Sequence, residues 1–89
     1  MPVVMFTRHL RAVAPGEPIA CTGNTLRDAL DDALSRHERL RGYVLDDQGR
    51  LRKHVAIFID NEHRTGPDIL DSPVKAESEI YVMQALSGG

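Results

Sequence analysis

The chain has 89 residues, enough for one domain and not two. Hydrophobic residues make up 42% of it, so it can fold, while a formal net charge of −2 argues against a dedicated nucleic-acid binder. A body this small buries a single modest core and leaves little room for a deep substrate pocket.

Val3-Val4-Met5-Phe6 is a short apolar run of β-formers and predicts a central strand. Ala14-Pro15-Gly16-Glu17-Pro18 is dense in turn residues, and Ile19 to Thr22 reads as the second strand of a first hairpin. Leu26, Ala29, Leu30, Ala33, Leu34, His37 and Leu40 then recur at three- and four-residue spacing, the mark of one apolar helix face. Asn24 or Thr25 can cap this helix, with Asp28 placed for a weak capping box and Gly42 for a C-terminal stop. Asp28, Asp31 and Asp32 lie toward the positive end of its dipole, and Arg36, Arg39 and Arg41 toward the negative end.

Asp46-Asp47-Gln48-Gly49 reads as a turn, and Leu51 to Asp60 as a strand in which Val55, Ile57 and Ile59 share one face. Asn61-Glu62 predicts a tight turn and His63-Arg64-Thr65 a short return strand, broken by Gly66-Pro67. Ile69-Leu70 predicts a buried irregular or 3₁₀ segment, and Ile80 to Met83 the last strand. Leu86-Ser87-Gly88-Gly89 has no capacity to pack. The division is thus a domain over residues 1–85 and a flexible tail over residues 86–89. One helix cannot cover both faces of a parallel sheet, so the fold class is α+β. A four- to five-stranded mixed sheet with one main helix on one face, its last strand returning beside the first, is the β-grasp arrangement.

Charge is uneven along the chain. Arg36, Arg39, Arg41, Arg50, Arg52 and Lys53 dominate one stretch, and acidic residues dominate from His54 onward. Cys21 is the lone cysteine and reads as a small buried hydrophobe in a reducing compartment. No apolar stretch spans a bilayer, and Met1-Pro2-Val3 begins a strand with no signal-peptide pattern, so no membrane partner and a cytoplasmic location are expected. His9, His37, His54 and His63 show no metal-ligand spacing with each other or with Cys21, so no metal is expected. No Ser/His/Asp set or phosphate loop is apparent, and no catalysis by the isolated chain is expected.

Three segments resemble the ubiquitin-like sulfur carriers of the MoaD/ThiS group. They are Thr25-Leu26-Arg27-Asp28-Ala29-Leu30, the run from Leu51 to Asn61, and the run from Glu79 through Ser87-Gly88-Gly89. The resemblance covers essentially the whole chain. Glu77-Ser78-Glu79 stands where the family often has Gly-Asp-Glu, and Gln84-Ala85-Leu86 where it often has proline. The length from Arg41 to Lys53 is nearer the molybdopterin and cysteine carriers than the thiamine ones.

The resemblance implies that the Gly89 carboxylate is the reacting group. An E1-like adenylyltransferase would convert it to an acyl-AMP, and a sulfur donor would convert that to a thiocarboxylate. A downstream biosynthetic enzyme would accept the sulfur. No bound cofactor is expected, only these covalent intermediates. Leu86, Ser87 and Gly88 would thread the partner's channel, reaching with Gly89 at most roughly 13 Å. Two glycines suit that channel because they lack side chains. If Val55, Ile57, Ile59, Ile80 and Val82 face the helix, then Phe58, Tyr81 and Met83 face outward as a docking patch that Met5 can join. The same activated Gly89 would also serve a ubiquitin-like modifier, and a β-grasp subunit that only docks is a further alternative.

Overall fold

The computed structural model describes residues 1–6 and 17–84. Residues 14–16 of the turn expected over Ala14–Pro18, and the tail over residues 86–89, lie outside the described residues. Strand β1 spans Val3–Phe6, β2 Ile19–Ala20, β3 Val55–Ile59, β4 Glu62–Arg64 and β5 Glu79–Gln84. They form one five-stranded sheet in the order β2-β1-β5-β3-β4. β1 runs antiparallel to β2 and parallel to β5, and β3 runs antiparallel to both β5 and β4. This is the expected β-grasp topology, with the last strand between the first and third.

The alternation of β-branched residues decides which face is buried. Val4, Ile57, Ile59, Ile80 and Val82 all point to one face and are almost wholly buried. Helix α1, Leu26–Leu34, covers that face with Leu26, Ala29, Leu30, Ala33 and Leu34. Thr25 caps it, its hydroxyl oxygen accepting the Asp28 amide at 3.2 Å. The Leu26 amide donates to the Ser72 carbonyl at 2.8 Å and the Val74 amide to the Asn24 carbonyl at 2.9 Å, so the helix start is pinned to the chain before β5. Ile69–Asp71 forms the 3₁₀ turn read from the sequence, with Leu70 buried beneath it.

The single long helix expected from Leu26 to Leu40 is two helices. α1 ends at Leu34, and a second helix, α2, spans Glu38–Val44. Ser35 ends the first: its hydroxyl donates to the Asp32 carbonyl at 2.7 Å, competing with the helical ladder. The apolar series survives the break because α2 re-aims Leu40 and Val44 into the same core. Gly42 therefore lies inside a helix and is not its stop, and no basic residue occupies the last turn of α1. Two strands are also shorter than read. β2 stops at Ala20, leaving Cys21 just beyond it, and β3 starts at Val55 because Arg52–Val55 is closed as a turn at 3.1 Å.

The β3–β4 turn sits one residue earlier than expected, at Asp60-Asn61. Both have positive φ, 52° and 70°, as a type I′ hairpin requires. Asp60 also braces the start of β5. Its carboxylate accepts the Glu79 amide at 2.9 Å and the Ser78 hydroxyl at 3.1 Å. Ser78 is itself buried and accepts the Lys75 amide at 2.8 Å.

Two glycines make opposite demands. Gly23 has φ +147°, and a Cβ there would stand 2.7 Å from the Ala29 amide nitrogen and 2.9 Å from the Asp28 carbonyl carbon. Gly42 would meet nothing within 4 Å. Gly23→Ala is expected to destabilise the fold by about 2 kcal/mol or more, and Gly42→Ala to stabilise it by about 0.5–1 kcal/mol. Urea denaturation of both variants against wild type checks the pair.

Candidate functional site

β5 occupies the middle of the sheet, so the chain emerges from the sheet's interior and not from an edge. Gln84, the last described residue, pairs with Val55 at the start of β3. The exit is therefore bordered by the turn Arg52-Lys53-His54 that precedes Val55. That turn is positioned by a chain of backbone and side-chain bonds. Asp46 Oδ1 accepts the Gln48 and Arg50 amides, each at 2.9 Å, and Oδ2 lies 3.5 Å from Arg50 Nε. The Asp46 amide donates back to the Arg50 carbonyl at 2.8 Å. Arg52 then reaches over α2, its amide donating to the Val44 carbonyl at 2.9 Å and its Nε to the Gly42 carbonyl at 2.6 Å.

The face away from the helices carries a row that crosses four strands. Met5 pairs with Tyr81, Tyr81 with Phe58, and Phe58 with His63. Met83, opposite Ala56, stands in the next row toward the exit. The strand phase read from the sequence is thus the one observed, and Phe58, Tyr81, Met83 and Met5 share the uncovered face. None of the four is fully exposed; each is half-buried by its cross-strand neighbours. His63 was not read as part of this face. Its ring stacks on Phe58, with centroids 4.7 Å apart and an interplanar angle of 17°. The signal for it was present: a residue directly across a tight hairpin from an outward Phe must share its face. Leu86, Ser87, Gly88 and Gly89 lie outside the described residues.

Among the described residues, Asp46 and Cys21 have shifted proton affinities. The Asp46 carboxyl is held below the usual carboxylate range, chiefly by the Arg50 amide hydrogen bond, then by the Gln48 amide and the charges of Arg50 and Arg52. The Cys21 thiol is pushed up by burial and, secondarily, by Asp32. It donates to the Pro2 carbonyl at 3.4 Å and packs as core. His37 stands half-buried at the start of α2, where its carbonyl accepts the Arg41 amide. No group of three His, Cys, Asp or Glu among the described residues could hold a metal ion. No helix among them is long and apolar enough to cross a membrane.

The sheet order, the crossover helix and the parallel first-to-last pairing define a ubiquitin-like β-grasp protein. The chain belongs to the ThiS family, whose model matches residues 4–89. Solved structures agree on the fold. A chain of the Amycolatopsis orientalis BexX/CysO complex is similar at 22% identity and TM-score 0.83, with 100% of both chains covered. SAMP1 from Haloferax volcanii is similar at 25% identity and TM-score 0.78, over 99% of this chain and 98% of that one. The small archaeal modifier protein 1 from Methanosarcina acetivorans is similar at 19% identity and TM-score 0.85, over 99% of this chain and 95% of that one. No curated protein sequence matches the chain significantly.

The Asp46 carboxyl is held low in the folded chain, so its contribution to stability is present above the ordinary carboxylate range and is lost as pH falls below that range. Asp46→Ala is expected to speed hydrogen exchange at the Gln48 and Arg50 amides by about tenfold at neutral pH. Wild type should lose the same protection only on acidification. Residue-resolved exchange by NMR checks both.

Proposed function

We propose that this chain is a sulfur carrier whose Gly89 carboxylate is activated by an E1-like adenylyltransferase. The observation that supports the reading best is a continuity. β5 is the central strand, and the ThiS family match runs on from it through Gly89. A carboxylate is a poor electrophile. Attack of its oxygen on the α-phosphorus of ATP expels pyrophosphate and leaves an acyl-AMP. Hydrosulfide then adds at the acyl carbon, AMP departs, and the thioacid loses its proton to give a thiocarboxylate. The chain supplies the acyl group and acts as co-substrate; partner enzymes supply the catalysis, in the cytoplasm. A sulfur donor loads it, and a downstream biosynthetic enzyme takes the sulfur.

In this reading Gly88, Ser87 and Leu86 thread the partner's channel, and Phe58, Tyr81 and Met83 dock the body, with Met5 and His63 completing the row. The half-buried state of Met5, Phe58, Tyr81 and Met83 suits a flat apolar contact, since little side-chain freedom is lost on docking. Likeness to the archaeal small modifier proteins favours a second reading, conjugation of the activated Gly89 to a lysine amine.

The test is the intact mass of the chain after incubation with an adenylyltransferase of its own genome, ATP and sulfide. The expected gain is one oxygen-to-sulfur exchange, absent when Gly89 is deleted, and the starting mass also checks that the chain ends at Gly89. A ladder of lysine-linked products in cells would favour the modifier instead. Tyr81→Ser is expected to raise the carrier's KM for activation by about tenfold or more, with kcat and the far-ultraviolet circular dichroism little changed.

A further inference from the structure

Charge in this domain is sorted along the strand direction. The end of the sheet where β5 stops is bordered by Arg52, Lys53 and His54. Arg27, Arg41, Arg50 and Arg64 each pair with a carboxylate, at 3.0–3.5 Å. Arg52 and Lys53 have no acidic partner among the described residues. Arg52 donates its Nε to a neutral carbonyl, and the acid whose charge it feels, Asp46, is already paired with Arg50. A recess of about 370 Å³ beside this turn is lined by Arg52, Lys53, His63 and Arg64 over Val55 and Ile69. The opposite end of the sheet carries Asp60, Glu62, Glu77 and Glu79, with Lys75 as the nearby side-chain cation. The two ends stand about 13 Å apart along β3.

We propose that the turn Arg52-Lys53-His54 is a cationic collar around the emerging chain end, and that it engages carboxylates bordering the channel of the activating enzyme. This rests on the carrier reading above. The occupant is protein and not the nucleotide, for a reason of reach. Residues 85–89, the segment that would carry the reacting Gly89, span at most about 18 Å. A lysine or arginine at the base of that tail meets the mouth of the channel and not the phosphates at its far end. The half-open recess offers an apolar floor for a glutamate stem and cations for its head. The acidic far end adds a second effect. A domain with opposite charges at its two ends is turned in the partner's field, so the collar end leads during encounter.

The test uses the double reversal Lys53→Glu with His54→Glu, both exposed, and leaves Arg52 intact because it braces α2. Glu77→Lys at the far end is the control. Pyrophosphate release by the adenylyltransferase of the same genome is followed with the carrier below its KM. The reversal is expected to lower kcat/KM by about tenfold or more at low ionic strength, with kcat nearly unchanged. The deficit should shrink at about 0.5 M salt, where exposed charges are screened. Glu77→Lys should stay near wild type. A reversal variant that melts like wild type and keeps kcat/KM within about twofold at low salt overturns the collar alone. A wild-type chain that releases no pyrophosphate overturns the carrier reading and the collar with it.

Discussion

The fold depends on the insertion of β5 between β1 and β3. Its Ile80 and Val82 are wholly buried, and its backbone is hydrogen-bonded on both sides. Pairing the first strand with the last in parallel requires a crossover, and α1 supplies it by covering the one face that needs to be dry. The bonds that pin the helix start to Ser72 and Asn24, and those by which Asp60 holds Ser78 and Glu79, bring the chain to β5 at the correct height. A one-residue slip there would turn Ile80 and Val82 outward and Tyr81 inward.

The sequence was most legible where burial is periodic. Val3–Phe6 is a strand with the predicted bounds, and the outward phase of Phe58, Tyr81 and Met83 followed from the alternation of Val55, Ile57 and Ile59. Periodicity misled where the apolar series is continuous but the backbone is not. Leu34, His37 and Leu40 keep helical spacing across a break set by the Ser35 hydroxyl, an effect with no apolar signature. Gly42 misled for a related reason: a glycine stops a helix only when the next residues cannot continue it, and Tyr43 and Val44 can. The Asp60-Asn61 turn was misplaced because Asp, Asn and Glu in a row do not reveal which pair takes positive φ.

The site was legible in its parts more than in its arrangement. The outward apolar residues could be read from one strand at a time. The alignment of Met5, Tyr81 and Phe58 into a single row with His63, with Met83 in the next row, depends on register across β1, β5, β3 and β4, which only the paired sheet defines. The same holds for charge. A basic stretch from Arg36 to Lys53 was visible in the sequence, but two of its five arginines are consumed locally, Arg41 by Asp31 and Arg50 by Asp46, while Arg36 lies between the two helices and Arg39 on α2. What remains beside the end of β5 is selected by the tertiary structure.

Making the sheet's central strand the last of the five has a consequence for biogenesis. While a ribosome is still making the residues up to Glu77, β1 and β3 have no common neighbour, and α1 has only part of a surface to cover. Contacts of such long sequence separation form late and cooperatively, so a stable body cannot precede the release of β5 from the exit tunnel. A nascent chain cut short upstream would lack the strand that joins the β1–β2 pair to the β3–β4 pair, and would be exposed to cellular proteolysis. Emergence of β5 thereby becomes a checkpoint on maturity, enforced by topology without any dedicated sensor.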